Sequence, residues 1–135
     1  MLLIKSIMKT DVITVKPQTP ILEAIKLLTG NQISGMPVVT DDNRVVGILT
    51  EKDVLRILTK EKITYEDTVS LYMSRNVTVF NENDPVLTVS QFFERNPIRR
   101  VPIVRDGILV GIVSRRDIIA VILEAKSTME SYRFS

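Results

Sequence analysis

The chain has 135 residues, of which 44% are hydrophobic and 25% charged, the balance of a folded globular protein rather than a disordered one. Its length suits one domain of ~100–150 residues or two very small ones, and argues against a multidomain enzyme. Eighteen Lys and Arg against sixteen Asp and Glu leave a net charge of +2. This charge does not indicate a protein that wraps a polyanion.

The sequence contains neither Cys nor His. Disulfides, a thiolate nucleophile, an imidazole base and Cys- or His-based metal sites are therefore excluded, and we expect no catalytic residues and no metal site. The longest purely apolar run, Ile118–Leu123, has six residues, whereas a bilayer-spanning helix needs ~20. The first residues also lack the layout of a signal peptide, so we expect a cytosolic protein that does not associate with membranes.

Two copies of one unit make up the sequence. A shift of 65 residues superposes Ile33–Val39 on Ile98–Val104, and a shift of 64 superposes Val46–Asp53 on Val110–Asp117. The one-residue difference falls in a predicted turn, where structural repeats accept insertions. We predict a first repeat over 1–60, a linker over 61–68, a second repeat over 69–126 and a C-terminal tail over 127–135.

Each repeat opens with a short helical turn, Ile4–Met8 in the first and Val69–Met73 in the second. The next segment, Val12–Val15 or Val77–Val79, is rich in β-branched residues and predicts a strand.

A helix is then expected in each repeat, because a capping residue and a proline precede an apolar stripe. Thr19 or Asp84 is the predicted N-cap, and Pro20 or Pro85 the predicted first helical residue. The apolar stripes consist of Ile21, Leu22, Ile25 and Leu28 in the first repeat, and of Val86, Val89 and Phe93 in the second.

Two strands and a closing helix complete each repeat. They are predicted at Met36–Val39, Val45–Leu49 and from Glu51 in the first copy, and at Val101–Val104, Leu109–Val113 and from Arg115 in the second. The fold class is therefore α+β, with two β-α-β-β-α repeats. Because ~60 residues bury too little surface to be stable alone, we expect the repeats to pack about a pseudo-twofold axis through their small sheets.

The second closing helix is more apolar than one face of a surface helix requires. Its apolar residues are Ile118, Ile119, Val121, Ile122 and Ala125. This excess predicts further burial, for example in an isologous homodimer.

One motif is written twice where the last strand meets the closing helix: Gly47-x-x-Thr50-x-x-Asp53 and Gly111-x-x-Ser114-x-x-Asp117. A glycine in a strand lets another group approach the backbone closely. The hydroxyl and the free N–H groups of the first helical turn suit a phosphate, and the carboxylate suits the two hydroxyls of a ribose. The same spacing also matches a reciprocal capping box that binds no ligand, and both interpretations remain open.

An Ile-x-x-x-Pro segment precedes each motif, beginning at Ile33 and at Ile98. Its apolar residues could line a slot for a flat ring. Ordinary core packing explains each of them equally well.

The duplicated pattern resembles a tandem pair of cystathionine-β-synthase (CBS) domains, often called a Bateman module. It covers about Ile4 to Leu123, with Gly35–Val39 and Arg100–Val104 ahead of the two motif ends. The resemblance implies a regulatory module that binds AMP, ADP, ATP or S-adenosylmethionine in clefts between the repeats, has no obligatory cofactor, forms homodimers and signals to a protein partner by a conformational shift.

The resemblance also implies roles for individual residues. Asp53 and Asp117 match the ribose-binding acid, and Thr50 and Ser114 the phosphate-contacting hydroxyl. Arg100 matches a phosphate-contacting arginine, with Gly35 as its counterpart. The positions around the base are matched by Thr14, Ile33, Met36 and Pro37, and by Thr78, Ile98, Val101 and Pro102. Arg115 and Arg116 flank the second motif, so we expect a di- or triphosphate to prefer that side.

Two alternatives stand beside this interpretation. The arginines of the Arg95–Arg116 segment could bind nucleic acid or another polyanion, although acids lie among them and aromatic residues are only 5%, which leaves few stacking platforms. Alternatively, the chain is a structural dimerisation module whose helix ends are capped and empty.

Overall fold

The computed structural model describes residues 1–60, 64 and 66–134, with side chains through 126. Positions 61–63 and 65 of the predicted linker, and the side chains of the predicted tail, lie outside the described residues. The helices are α1 (Ile21–Gly30), α2 (Glu51–Leu55), α3 (Val86–Arg95) and α4 (Arg115–Phe134), and the strands are β1 (Gly35–Val39), β2 (Val45–Thr50), β3 (Phe80–Asn81), β4 (Arg100–Arg105) and β5 (Ile108–Ser114). Short 3₁₀ turns span Ile4–Ser6, Arg56–Thr59 and Val69–Leu71.

The strands form two small sheets, as expected for an α+β fold. In the first, β1 and β2 are antiparallel, with Gly35 opposite Thr50 and Val38 opposite Gly47. In the second, the order is β3-β4-β5, and β3 runs parallel to β4. The five residues of β1 are all buried, as is most of β4, which explains their continuous apolar sequence.

The predicted first strand of each repeat is wrong in extent. In place of a strand over Val12–Val15, Val15 alone forms a parallel bridge, in which its N–H donates to the Pro37 carbonyl (3.2 Å) and its carbonyl accepts from Val39 N (2.8 Å). Because Pro37 has no N–H, it cannot extend the ladder. In the second repeat the strand forms just after Val77–Val79, where Phe80 pairs with Ile103 on β4.

The helix starts are also displaced by one residue. Pro20 and Pro85 are the N-caps of α1 and α3, with no side-chain capping bond. Thr19 Oγ1 accepts instead from Lys16 N (3.0 Å), and Asp84 Oδ2 from Asn81 N (2.8 Å), so these side chains close the turns before the helices.

The buried face of α1 differs from the predicted stripe at one position. Leu22 is 37% exposed, whereas Ala24 is fully buried. Residues 21, 24 and 28 share one side of a 3.6-residue helix, and position 22 lies about 100° away from position 21. In α3, the predicted residues Val86, Val89 and Phe93 are all buried, which confirms that stripe.

The chain divides into two compact units that are discontinuous in sequence. The first-repeat unit comprises Val12–Thr78 and Asp106–Leu109, and the second-repeat unit comprises Met1–Asp11, Val79–Arg105 and Val110–Ser135. Each unit therefore contains the opening turn of the other repeat. Val69, Tyr72 and Met73 belong to the first unit's core, and Ile4 to the second unit's core.

Each unit contains an opening turn from the other repeat, which we call the exchanged turn. The same backbone hydrogen bonds anchor the exchanged turn in both units. In the second-repeat unit, Ile4 N donates to the Asp84 carbonyl (2.8 Å) and Lys5 N to the Glu82 carbonyl (3.0 Å). In the first-repeat unit, Val69 N donates to the Thr19 carbonyl and Ser70 N to the Pro17 carbonyl, both at 2.9 Å. The duplication seen in the sequence is thus repeated in the backbone contacts.

Candidate functional site

Both copies of the motif form a capping box at the junction of strand and helix. Asp53 Oδ2 accepts from Thr50 N (2.9 Å), and Asp53 N donates to Thr50 Oγ1 (3.3 Å). In the second copy, Asp117 Oδ2 accepts from Ser114 N (2.8 Å) and Asp117 N donates to Ser114 Oγ (3.2 Å). A capping box is therefore present in both repeats, as the spacing predicted.

Each capping carboxylate has a second oxygen that is not part of the box. Asp53 Oδ1 lies 3.8 Å from Arg56 Nη2, and Asp117 Oδ1 lies 3.5 Å from Lys9 Nζ. The carboxylate side chains are 19% and 13% exposed, so solvent still reaches them. Since an ionised carboxylate has about four acceptor positions, each acid can cap its helix and accept hydrogen bonds from a ligand as well.

The motif glycines admit a close backbone approach, as predicted, and the approaching group belongs to the protein. A Cβ on Gly47 would lie 2.8 Å from Met73 Sδ and 3.0 Å from the Ser74 carbonyl oxygen. A Cβ on Gly111 would lie 2.6 Å from Met8 Sδ and 3.0 Å from the Lys9 carbonyl oxygen. These glycines therefore serve the docking of the exchanged turns.

The Ile-x-x-x-Pro segments divide into core and surface residues. Met36 and Val101 are fully buried, as are the prolines that follow them. Ile33 is half-buried, whereas Ile98 is 38% exposed. Of the other predicted base-contacting residues, Thr14 is half-buried and Thr78 is exposed. The described structure thus assigns the Met-Pro and Val-Pro pairs to the core and leaves the two isoleucines and two threonines accessible.

Backbone contacts bring the start of the preceding strand to each capping box. Gly35 is paired with Thr50, and Glu51 N donates to the Ser34 carbonyl (2.9 Å). In the second repeat the equivalent bond runs from Arg115 N to the Arg99 carbonyl (3.0 Å). Arg100 directly follows Arg99 in the chain. It is half-buried at the start of β4.

The guanidinium of the exposed residue Arg115 is engaged by backbone carbonyls. It donates to the carbonyls of Phe93 (3.1 Å), Asn96 (2.5 Å) and Ile98 (2.9 Å), which lie at the end of α3 and just beyond it. These carbonyls have no partner within the helix, so Arg115 satisfies them. Arg116, the next residue, is exposed.

The two cations beside the carboxylates, Lys9 and Arg56, were not identified from the sequence. Both lie outside the repeated motif, and neither has a like-charged counterpart in the other repeat, since the equivalent positions are Ser74 and Ala120. A comparison of the two repeats therefore could not have identified Lys9 and Arg56 as residues of the site.

A shallow depression of about 450 Å³ lies on the surface of α1, and none of the predicted ligand residues lines it. Its lining residues are Pro20, Leu22, Glu23, Lys26 and Glu66. Among the described residues there is no acidic cluster that could hold a metal ion. No helix within the described part of the chain is long and apolar enough to cross a membrane.

The family model for the CBS domain matches residues 4–60 and 68–124. The chain therefore belongs to the CBS domain family and carries two copies of the domain, which confirms the resemblance seen in the sequence. The protein MJ1225 of Methanocaldococcus jannaschii is 35% identical over 116 residues, or 86% of this chain. The chain spans only 41% of the length of that relative.

Two solved structures show the same fold. The CBS domain pair of protein MJ0100, in complex with 5′-methylthioadenosine and S-adenosyl-L-methionine, is 31% identical with a TM-score of 0.78, over 93% of this chain and 98% of that one. The protein CBSX2, in complex with AMP, has a TM-score of 0.84 at 24% identity, over 93% and 99% of the two chains. The α+β architecture with two repeats is thereby confirmed.

Proposed function

We propose that this CBS domain pair is a regulatory module that binds an adenosine compound, for which AMP, ADP, ATP and S-adenosylmethionine are the candidates. One observation carries the proposal. In both repeats, the carboxylate that caps the closing helix has its Oδ1 outside the capping box and beside a cation, on a side chain that is 19% exposed in the first repeat and 13% exposed in the second. A ribose hydroxyl can donate to that oxygen without breaking the cap.

The similarity to the CBS pair of MJ0100 supports an adenosine compound in particular. That pair, at 31% identity, is in complex with 5′-methylthioadenosine and S-adenosyl-L-methionine, which share an adenosine group and differ in what the 5′ carbon carries. In this chain, we expect the accessible Ile33 and Ile98 to contact the base and Thr14 and Thr78 to lie near it. Thr50 and Ser114 would then face the 5′ substituent.

The polyanion alternative is weakened by the arginines themselves. Arg105 donates to Glu82, and Arg115 donates to carbonyls near the end of α3. At least two of the six arginines in the Arg95–Arg116 segment are therefore occupied within the fold. The structural alternative, with capped and empty helix ends, agrees with both capping boxes and is tested by ligand binding.

We also propose that the module is a cytosolic homodimer and signals to a protein partner. Occupancy of the site would favour one conformation of the dimer, which the partner would recognise. The exposed apolar face of α4, formed by Ile119, Ile122 and Leu123, is the proposed contact between the two copies.

Isothermal titration calorimetry with AMP, ATP, S-adenosylmethionine and 5′-methylthioadenosine tests ligand binding. We expect at least one ligand to bind below millimolar concentration. Asp117→Asn keeps an acceptor for the capping bond but removes the charge, so it should weaken binding by about tenfold while the melting temperature changes little. Glu94→Gln, a neutralised exposed carboxylate on α3, is the matched control. Binding of no ligand would favour the structural module, whereas equal binding by Asp53→Asn, Asp117→Asn and the wild type would show that the ligand does not bind at these carboxylates.

A further inference from the structure

Lys9 is held beside Asp117 by its own backbone. Its N–H donates to the Ile112 carbonyl (3.0 Å) and its carbonyl accepts from Ile112 N (2.9 Å), which forms an antiparallel bridge to β5. Ile112 lies two residues before Ser114, so the bridge brings the Lys9 side chain to the capping box. Lys9 Nζ is 3.5 Å from Asp117 Oδ1, and the side chain is 71% exposed. The ammonium group is therefore fixed at its base and free to reorient at its tip.

The equivalent position in the first repeat carries no charge. Ser74 forms the same antiparallel bridge with Ile48, with both hydrogen bonds at 2.9 Å. The cation beside Asp53 is instead Arg56, which donates to the Asp53 carbonyl (3.3 Å) and to the Tyr72 carbonyl. The guanidinium of Arg56 is thus held by two backbone carbonyls, whereas, among the described residues, the ammonium group of Lys9 has only the contact with Asp117.

This difference matters for the charge of the ligand. A phosphate on the 5′ carbon of a ribose bound to Asp117 would bring a second anion close to the carboxylate, and the two would repel each other. An exposed ammonium group that reaches both anions removes this cost and forms a charge-assisted hydrogen bond with the phosphate. Of the two arginines that flank the second motif, Arg115 is already engaged with three carbonyls, and Arg116 is exposed.

We propose that Lys9 determines ligand specificity at the Asp117 site, where it favours an adenosine compound with an anionic 5′ substituent over one with an uncharged substituent. In the Asp53 site the equivalent residue is Ser74, which carries no charge and therefore gives no preference for an anionic 5′ substituent. The inference rests on the proposed function, because it presumes that the ribose binds at Asp117.

AMP and 5′-methylthioadenosine are a suitable pair of probes, because they share adenine and ribose and differ in the charge of the 5′ substituent. Calorimetry on full-length Asp53→Asn protein, with and without Lys9→Gln, reports on the Asp117 site. We expect Lys9→Gln to raise the Kd of AMP about tenfold and that of 5′-methylthioadenosine less than about twofold, since a lost hydrogen bond between charged groups affects only AMP.

Two further variants make the test sharper. Lys26→Gln removes an exposed lysine from α1, at the shallow depression, and should leave both Kd values unchanged. Ser74→Lys in Asp117→Asn protein should introduce a preference for AMP at the Asp53 site.

The outcomes separate the two proposals. If the wild type binds both ligands and Lys9→Gln weakens both equally or neither, the role of Lys9 is wrong and the proposed function stands. If the wild type binds neither of these ligands, nor ADP, ATP or S-adenosylmethionine, both proposals are wrong. Because Lys9→Gln leaves the backbone bridge to Ile112 in place, its melting temperature should match that of the wild type.

Discussion

Glu82 is a buried residue, only 8% exposed, and Arg105 is the main partner that balances its charge. Arg105 donates to its two oxygens from Nε (2.6 Å) and Nη2 (2.9 Å). These hydrogen bonds lower the pKa of Glu82 below its ordinary value, against the opposing effect of burial. The backbone of Glu82 also accepts from Lys5 N, so the ion pair lies where the exchanged turn docks.

A pH dependence of stability follows from this pair. Because the folded protein holds the pKa of Glu82 below the ordinary 4.5, the pair stabilises the fold above that pH and loses its effect as the pH falls through the lowered value. We expect Glu82→Gln to melt at a lower temperature than the wild type at neutral pH, with a difference that shrinks as the pH falls below 4.5. Thermal unfolding across this range measures the effect. Exposed Glu94→Gln should show no such difference, and a constant gap for Glu82→Gln would contradict the assignment.

At the scale of elements, the central contact of each unit is that between its last strand and the exchanged turn. The motif glycine in β2 or β5 faces the last methionine of that turn and the carbonyl oxygen of the residue that follows it. The methionine side chain can move, but the carbonyl oxygen belongs to the bridged backbone. An added methyl group therefore displaces the turn itself.

Gly111→Ala should destabilise the fold by ~1–3 kcal/mol, because overpacking forces the backbone of Lys9 away from β5. Gly47→Ala should have the same effect in the first-repeat unit. Gly30→Ala is the matched control, since nothing lies within 4 Å of its added Cβ, and it should be neutral or stabilising. Urea unfolding gives all three free energies. Equal values for Gly30→Ala and Gly111→Ala would show that the close approach contributes nothing.

At the scale of the whole molecule, three large apolar side chains of α4 are exposed among those described, which end at residue 126. Ile119, Ile122 and Leu123 are 61%, 62% and 66% exposed, while Ile118 is buried in the core of the second-repeat unit. Positions 119, 122 and 123 share one face of a helix. An apolar face of this kind favours contact with another copy of the chain.

We expect light scattering after size-exclusion chromatography to give twice the 15.3 kDa mass of the chain. Ile122→Glu places a charge in the proposed contact and should yield monomers, because an unpaired buried charge is costly. Leu87→Glu changes an equally exposed leucine on α3, at 67% exposure, and should remain dimeric. A monomeric wild type, or dissociation by both variants, would contradict this interface.

The local chemistry of the motifs could be predicted from the sequence. The spacing of Thr50 and Asp53, and of Ser114 and Asp117, predicted capping boxes that are present in both repeats. Most of the helices and strands, and the membership of the CBS family, also followed from the duplicated pattern. These features depend on residues close together in the chain, so composition and periodicity report on them.

The tertiary structure decided which distant residues meet. It replaced the predicted Val12–Val15 strand by one bridge at Val15, because Pro37 cannot donate. Each opening turn lies in the unit of the other repeat, which brings Lys9 to Asp117 and fills the space beside Gly111 with Met8. Lys9 and Asp117 are more than a hundred positions apart, and no periodicity in the sequence encodes a contact over that separation.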